Sequence, residues 1–159
     1  LLRWKKVNQK VTSLGYVLMD DASGNYFGRQ LLRDYYFNRM SAELENKFKS
    51  EFDLEAEVIK DSLYKKPNPN TYLAKFAKFL VENKNLEYSK QLVRKGFDLF
   101  IENQIEQFEN HKNVNLHFVG SIGYYLKDEL KEALDNKNLK LGKVLRRPIE
   151  GLVAFHQSH

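Results

Sequence analysis

Two short runs hold the residues best suited to chemistry. The first is Asp20-Asp21-Ala22-Ser23-Gly24. Adjacent carboxylates can accept hydrogen bonds from sugar hydroxyls or, with water, hold Mg²⁺. The small residues after them let the backbone approach a ligand, and a helix beginning there offers free N–H groups. The same residues equally suit an acidic helix start, with Asp21 or Ser23 as N-cap and Asp20 complementing the helix dipole. The second run is Phe118-Val119-Gly120-Ser121-Ile122-Gly123. Glycines between a strand and a helix permit close approach of a flat or anionic ligand to backbone amides. This run is neither GxGxxG nor a phosphate loop ending in Gly-Lys-Ser/Thr, and a tight turn needing positive φ explains it as well.

Other chemistry is sparse. The four histidines, His111, His117, His156 and His159, form no HExxH pattern. His117 lies in a strand-like run and is expected to pack or hydrogen-bond there. There is no cysteine, which excludes disulfides, a thiol nucleophile and Cys-based metal sites. Phe76 with Phe79, and Phe97 with Phe100 and Phe108, stand among Leu and Ile at helical spacing and are expected in a core or interface. Lys65-Lys66 and Arg146-Arg147 are short basic pairs with no nucleic-acid-binding motif beside them, so they are expected to be solvated and no nucleic-acid partner is expected.

The elements that must position these residues follow from periodicity. Arg3 to Thr12 reads as a short strand or hairpin, and Leu14 to Met19 reads as a strand that ends at the acidic pair. Tyr26, Phe27, Leu31, Leu32, Tyr35 and Tyr36 make the stripe of an amphipathic helix. Helices are then expected from Ser41 (as N-cap) to Phe52, from Leu54 to Tyr64, after Pro67 and Pro69 with Asn70 as cap, and from about Tyr88 to Phe108. Val114 to Val119 reads as a strand, Tyr125 to Leu134 as a helix, Leu139 to Leu145 as a strand of period two, and Ile149 to His156 as a closing helix behind Pro148. A βαβα ending implies parallel strands.

With 159 residues the chain suits one domain. A chain of this size buries roughly 68–70% of its unfolded surface without staples. Apolar residues at 42% and aromatic residues at 13% exclude a disordered tail. The net charge of +5 is too mild to argue a polyanion partner. No run is long and apolar enough for a membrane span, and no apolar core follows Lys5, Lys6 and Lys10, so a soluble, cytoplasmic protein with no membrane partner is expected.

The two chemical runs and the chain between them resemble a known family. Ser13 through Gly28 is similar to the S-L-G-(F/Y)-(I/V)-L-G-D-E-G-S-G-A-Y-(F/L)-G stretch of the BadF/BadG-type ATPases, within them most to the bacterial N-acetylglucosamine kinase branch. Tyr64 to Asn70, Ala74 to Leu80, His117 to Tyr124 and Pro148 to Leu152 extend the resemblance in order along nearly the whole chain. The resemblance implies an actin-like sugar kinase: an α/β fold in which residues 1–159 form a single ribonuclease-H-like C-terminal lobe. A large helical insertion (about 41–110) and a βαβα ending (about 114–157) would complete it. It implies phosphorylation of the 6-hydroxyl of N-acetylglucosamine or a related amino sugar, with ATP and Mg²⁺. Asp20, Asp21, Ser23 and Gly24 would then contact sugar, and Gly120, Ser121 and Gly123 would pass beside adenosine. A homodimer is left open, as is the alternative of a non-catalytic sugar- or nucleotide-binding module.

Departures accompany the resemblance. The pattern's Gly, Glu and Gly around the acidic pair are Met19, Asp21 and Ala22 here. A DGGGT/S-type and a GTGS-type phosphate hairpin do not occur, nor does the lobe that would supply the general base, an acidic residue. Phosphoryl transfer depends on positioning and on charge stabilisation by such loops. The expectation is therefore a second lobe of a kinase of roughly twice the length, its chain starting at Leu1 just past the second hairpin and probed by reading the coding sequence upstream.

Overall fold

The computed structural model describes residues 9–148. Among the described residues six helices precede the sheet: α1 (Gly24–Tyr36), α2 (Ala42–Glu51), α3 (Ala56–Tyr64), α4 (Pro69–Ala74), α5 (Ala77–Glu82) and α6 (Glu87–Phe100). A π-helical turn, Ile101–Ile105, continues α6, and a 3-10 turn, His111–Asn113, leads into β1 (Asn115–Val119). After it come α7 (Ser121–Tyr125), α8 (Lys127–Asn136) and β2 (Lys140–Leu145). The chain is thus a mixed helix-and-sheet fold. Among the described residues no helix is long and apolar enough to cross a membrane.

The first two helices start on serine caps. Ser23 caps α1 by accepting from the Tyr26 N–H, and Ser41 caps α2 by accepting from the Leu44 N–H. At α4 the expected cap is displaced. Asn68, with φ 59°, stands at the cap and Pro69 takes the first helical position, ahead of Asn70. Proline's fixed φ is pre-set for that position and its missing N–H costs nothing there.

One buried cluster holds the helices together. Phe48 is fully buried and meets Phe79, Phe52 and Phe76 at ring-centroid separations of 4.9, 5.0 and 5.8 Å. Each such ring contributes about 1.5–3 kcal/mol by leaving water. Phe27, Phe97, Ile101, Leu126, Leu130 and Leu134 carry the cluster on to the sheet end. Tyr88 on α6 donates its hydroxyl proton to Asp34 Oδ2 on α1 at 2.8 Å, and burial beside that carboxylate pushes the phenol's pKa well up.

β1 and β2 are parallel, as the βαβ pattern requires, and pair Asn115 with Lys140, Leu116 with Leu141, Phe118 with Val144 and Val119 with Leu145. A bulge sets Gly142 and Lys143 opposite His117. Lys143 N–H donates to His117 Nδ1 at 2.9 Å, and a Cβ on Gly142 would stand 2.7 Å from the imidazole ring. His117 is therefore hydrogen-bonded within the sheet, by a ring that needs a glycine partner.

Three expectations are corrected here. Leu14 to Met19 is a turn: Leu18 and Met19 N–H groups donate to the Gly15 carbonyl at 3.3 and 3.0 Å, with Gly15 at φ 88°. Its apolar composition suits a strand, but a strand also needs a ladder partner, and the only ladder among the described residues is β1 with β2. The acidic pair thus lies on a turn-to-helix corner. The helix expected from Tyr88 to Phe108 gives way at Ile101 to the π turn, where Glu106 N–H donates to the Ile101 carbonyl at 2.9 Å. The segment after Pro69 is broken into α4 and α5. Most of the Arg3–Thr12 strand and the closing helix beyond Pro148 lie outside the described residues, as do His156 and His159.

Candidate functional site

The acidic corner is built by local hydrogen bonds. Ser23 Oγ donates to Asp20 Oδ2 at 2.6 Å while accepting from Tyr26 N–H at 3.0 Å, so one hydroxyl caps α1 and anchors the carboxylate before it. Asn25 Nδ2 donates to Asp20 Oδ2 at 3.2 Å and to the Tyr16 carbonyl at 3.0 Å. Asp21 Oδ2 accepts from Asn103 Nδ2 at 2.8 Å, across from the π turn. Arg29 Nη1 donates to the Val17 carbonyl at 3.0 Å, a second tie between α1 and the preceding turn. Burial, with the Asp21 carboxylate nearby, pushes the Tyr26 phenol's pKa up.

Ala22 sits in the left-handed region at φ 57°. The resembled pattern has glycine there, and its Cβ costs about 1–2 kcal/mol in this conformation. Glycine would lose about 0.5–1 kcal/mol in chain entropy. Ala22→Gly is therefore expected to raise stability by about 0.5–1 kcal/mol, measured as a higher urea midpoint with unchanged slope.

The glycine turn joins β1 to α7. Gly120 has φ 148° and ψ 156°, its N–H donates to the Leu145 carbonyl at 2.9 Å, and its carbonyl accepts from Tyr124 N–H at 3.1 Å. Arg146, just past β2, lies over the Tyr125 ring at 5.2 Å.

Both runs line one cavity of about 940 Å³. Asp20, Asp21, Ser23 and Gly24 form part of its wall, and Gly120, Ser121 and Gly123 form another part. All seven of these residues, picked out by type and spacing, are thereby brought together. The same wall carries Lys78 and Glu82 of α5, paired at 3.4 Å, and the rings of Phe97, Phe100, Phe118 and Tyr125. Carboxylates, aromatic rings and glycine backbone thus face one space, a lining that suits hydroxyl donors and a flat ring together. Gly24 also has a packing reason to be glycine, since a Cβ there would lie 3.3 Å from Ala74 Cβ.

Several site residues are not legible as such in the sequence. Phe97 and Phe100 have the spacing of core residues, which Phe97 also is; that they face the cavity is decided by the turn of α6. Asn25 had one available signal, because the resembled pattern has alanine at its position. Asn103 had none, being brought to Asp21 by the π turn from far along the chain.

No family profile matches the chain, and no curated protein matches it. Among solved structures it is similar to the crystal structure of the putative N-acetylglucosamine kinase from Porphyromonas gingivalis, at 32% identity and a TM-score of 0.86. The match covers 94% of this chain and 52% of that one, so the chain spans about half the length of its neighbour. Over that length it has a sugar-kinase-like fold.

Proposed function

We propose that this chain is the sugar- and adenosine-contacting lobe of an ATP-dependent kinase acting on the 6-hydroxyl of N-acetylglucosamine or a related amino sugar. The observation that carries the reading is the shared cavity: the acidic corner and the glycine turn, separated by most of the chain, line the same space. In this reading residues 1–159 form one ribonuclease-H-like C-terminal lobe of an actin-like fold, with the helices between α1 and β1 as its insertion, in the cytoplasm. The structural neighbour, named as an N-acetylglucosamine kinase, supports the reading.

The residues divide the work by chemistry. Asp20 and Asp21 present carboxylate oxygens to sugar hydroxyls, which are donors, while Ser23 and Gly24 keep the backbone close. Phe118, Ile122 and the backbone at Gly120, Ser121 and Gly123 offer a flat apolar surface to adenine. The fit stops at the phosphates. Lys78 is the cation on the described cavity wall, and no glycine-rich phosphate hairpin occurs in the chain. Among the described residues no three His, Asp or Glu side chains come together to hold a metal ion, and Mg²⁺, which binds through one or two carboxylates plus substrate phosphates, would enter with ATP. The phosphate loops and the general base belong, in this reading, to the other half of a longer protein.

The test follows ADP release by the full-length gene product with N-acetylglucosamine. Sugar-dependent ADP is expected, and its absence would overturn the substrate assignment. Asp20→Asn in the same protein is expected to raise the KM for sugar about tenfold, because one acceptor becomes a donor facing donors. Unchanged kinetics would remove Asp20 from the sugar site.

A further inference from the structure

Both carboxylates of the acidic corner are held by asparagine amides, and the two amides come from different elements. Asn25, on α1 and 5% exposed, donates to Asp20 Oδ2 at 3.2 Å. Asn103, on the π turn, donates to Asp21 Oδ2 at 2.8 Å. Ser23 Oγ adds a donor to Asp20 Oδ2 at 2.6 Å. Every donor thus falls on Oδ2, and among the described residues Oδ1 of neither aspartate has a hydrogen-bond partner. Neither carboxylate is paired with a described Lys or Arg.

That arrangement has a chemical consequence. A neutral amide N–H orients a carboxylate without neutralising it, whereas an arginine fork would occupy both oxygens. One oxygen of each aspartate therefore keeps its capacity to accept, on residues that line the cavity. Asn25 also holds the Tyr16 carbonyl at 3.0 Å, which ties Asp20 to the turn at Gly15–Met19. Asn103 ties Asp21 to the end of α6, the helix that also supplies Phe97 and Phe100 to the cavity.

We propose that Asn25 and Asn103 are positioning residues that fix the Asp20 and Asp21 carboxylates as a pair of hydroxyl acceptors for a polyhydroxylated ligand. This rests on the sugar reading above and adds what sets the geometry of its acceptors. Fixed acceptors matter because a ligand hydroxyl that meets them does not have to immobilise the side chains itself.

The test titrates the full-length gene product with N-acetylglucosamine, and separately with a non-hydrolysable ATP analogue, by isothermal calorimetry. Asn103 is exposed, so Asn103→Ala leaves the core intact. It is expected to weaken sugar binding about fivefold, the loss of one charge-directed hydrogen bond, with the analogue's affinity unchanged. Asn103→Gln, which keeps an amide donor, is expected to recover most of the loss. In an Asp21→Asn background, Asn103→Ala is expected to cost nothing further, because its effect passes through Asp21. Unchanged sugar affinity, equal weakening of both ligands, or full additivity with Asp21→Asn would each overturn the proposal. If the unaltered full-length protein binds no sugar, the reading under Proposed function fails at this site, and the tether is judged by amide hydrogen exchange. Asn25→Ala is then expected to speed exchange at Leu18 and Met19 about tenfold by releasing the Gly15–Met19 turn. That result upholds the tether, and unchanged exchange overturns it.

Discussion

Replacing Gly28 with alanine is expected to destabilise the protein by about 3 kcal/mol, a backbone-level overpacking cost. A Cβ at this position would stand 1.9 Å from the Leu73 carbonyl oxygen and 2.7 Å from its carbon. Those are main-chain atoms of α4, so no side-chain rotation relieves the clash, and the two helices must separate. Gly24, one turn earlier on the same face, lies less close to α4, with a Cβ there 3.3 Å from Ala74 Cβ and 3.6 Å from its Cα. The tight backbone contact of α1 with α4 is therefore centred on Gly28. Forcing α4 outward also moves Leu73, which is buried, and Ala74, which lines the cavity. For a chain of this size the loss lowers the thermal midpoint by roughly 6–12 °C. Gly123→Ala is the control, since its added Cβ would come no nearer than 3.6 Å to Leu130 Cδ2. It is expected to change stability by less than about 1 kcal/mol. Equal midpoints for the two variants would remove the α1–α4 contact as a determinant of the fold.

Gly120→Ala is expected to abolish most nucleotide-analogue binding while costing about 1–3 kcal/mol of stability. At φ 148° and ψ 156° Gly120 occupies a region closed to side chains, although nothing lies within 4 Å of the site of its absent Cβ. The cost is therefore in the backbone. Relieving it rotates the peptide that joins β1 to α7 and weakens its bonds to Leu145 and Tyr124. The first turn of α7, with Ser121 and Gly123, then leaves its place on the cavity wall. Calorimetry is expected to show ATP-analogue affinity falling at least about tenfold, with N-acetylglucosamine affinity within about twofold. Loss of both ligands together would mean that the change acts through general unfolding.

These two glycines differ in what the sequence reveals about them. Gly120 follows an apolar run and precedes a helical stripe, so its place on a strand-to-helix turn is legible from pattern alone. Gly28 lies inside a helical stripe, and only the packing of α4 against α1 explains why it cannot carry a side chain. Leu14 to Met19 shows the opposite limit. Its residues have strand composition, but strand formation depends on a partner outside the segment, and a turn closed on Gly15 forms instead. Likewise the proline pair correctly marks a break, while the cap falls to Asn68 because Pro69 takes the first helical position. The periodicity of α6 is read correctly, and beyond Ile101 the helix continues as one wider turn in which the expected Ile101 and Ile105 are still buried.

The sequence by itself determined the helical stripes, the Ser41 cap, the parallel βαβ ending and the two runs rich in small and acidic residues. These depend on neighbours within a few positions, where side-chain period and backbone preference act. Only the tertiary structure decided that the acidic corner and the glycine turn share a cavity, that Asn103 holds Asp21, and that Phe97 and Phe100 line the same cavity. Those contacts join residues far apart along the chain, and their geometry depends on how closely helices pack, which local preference does not encode.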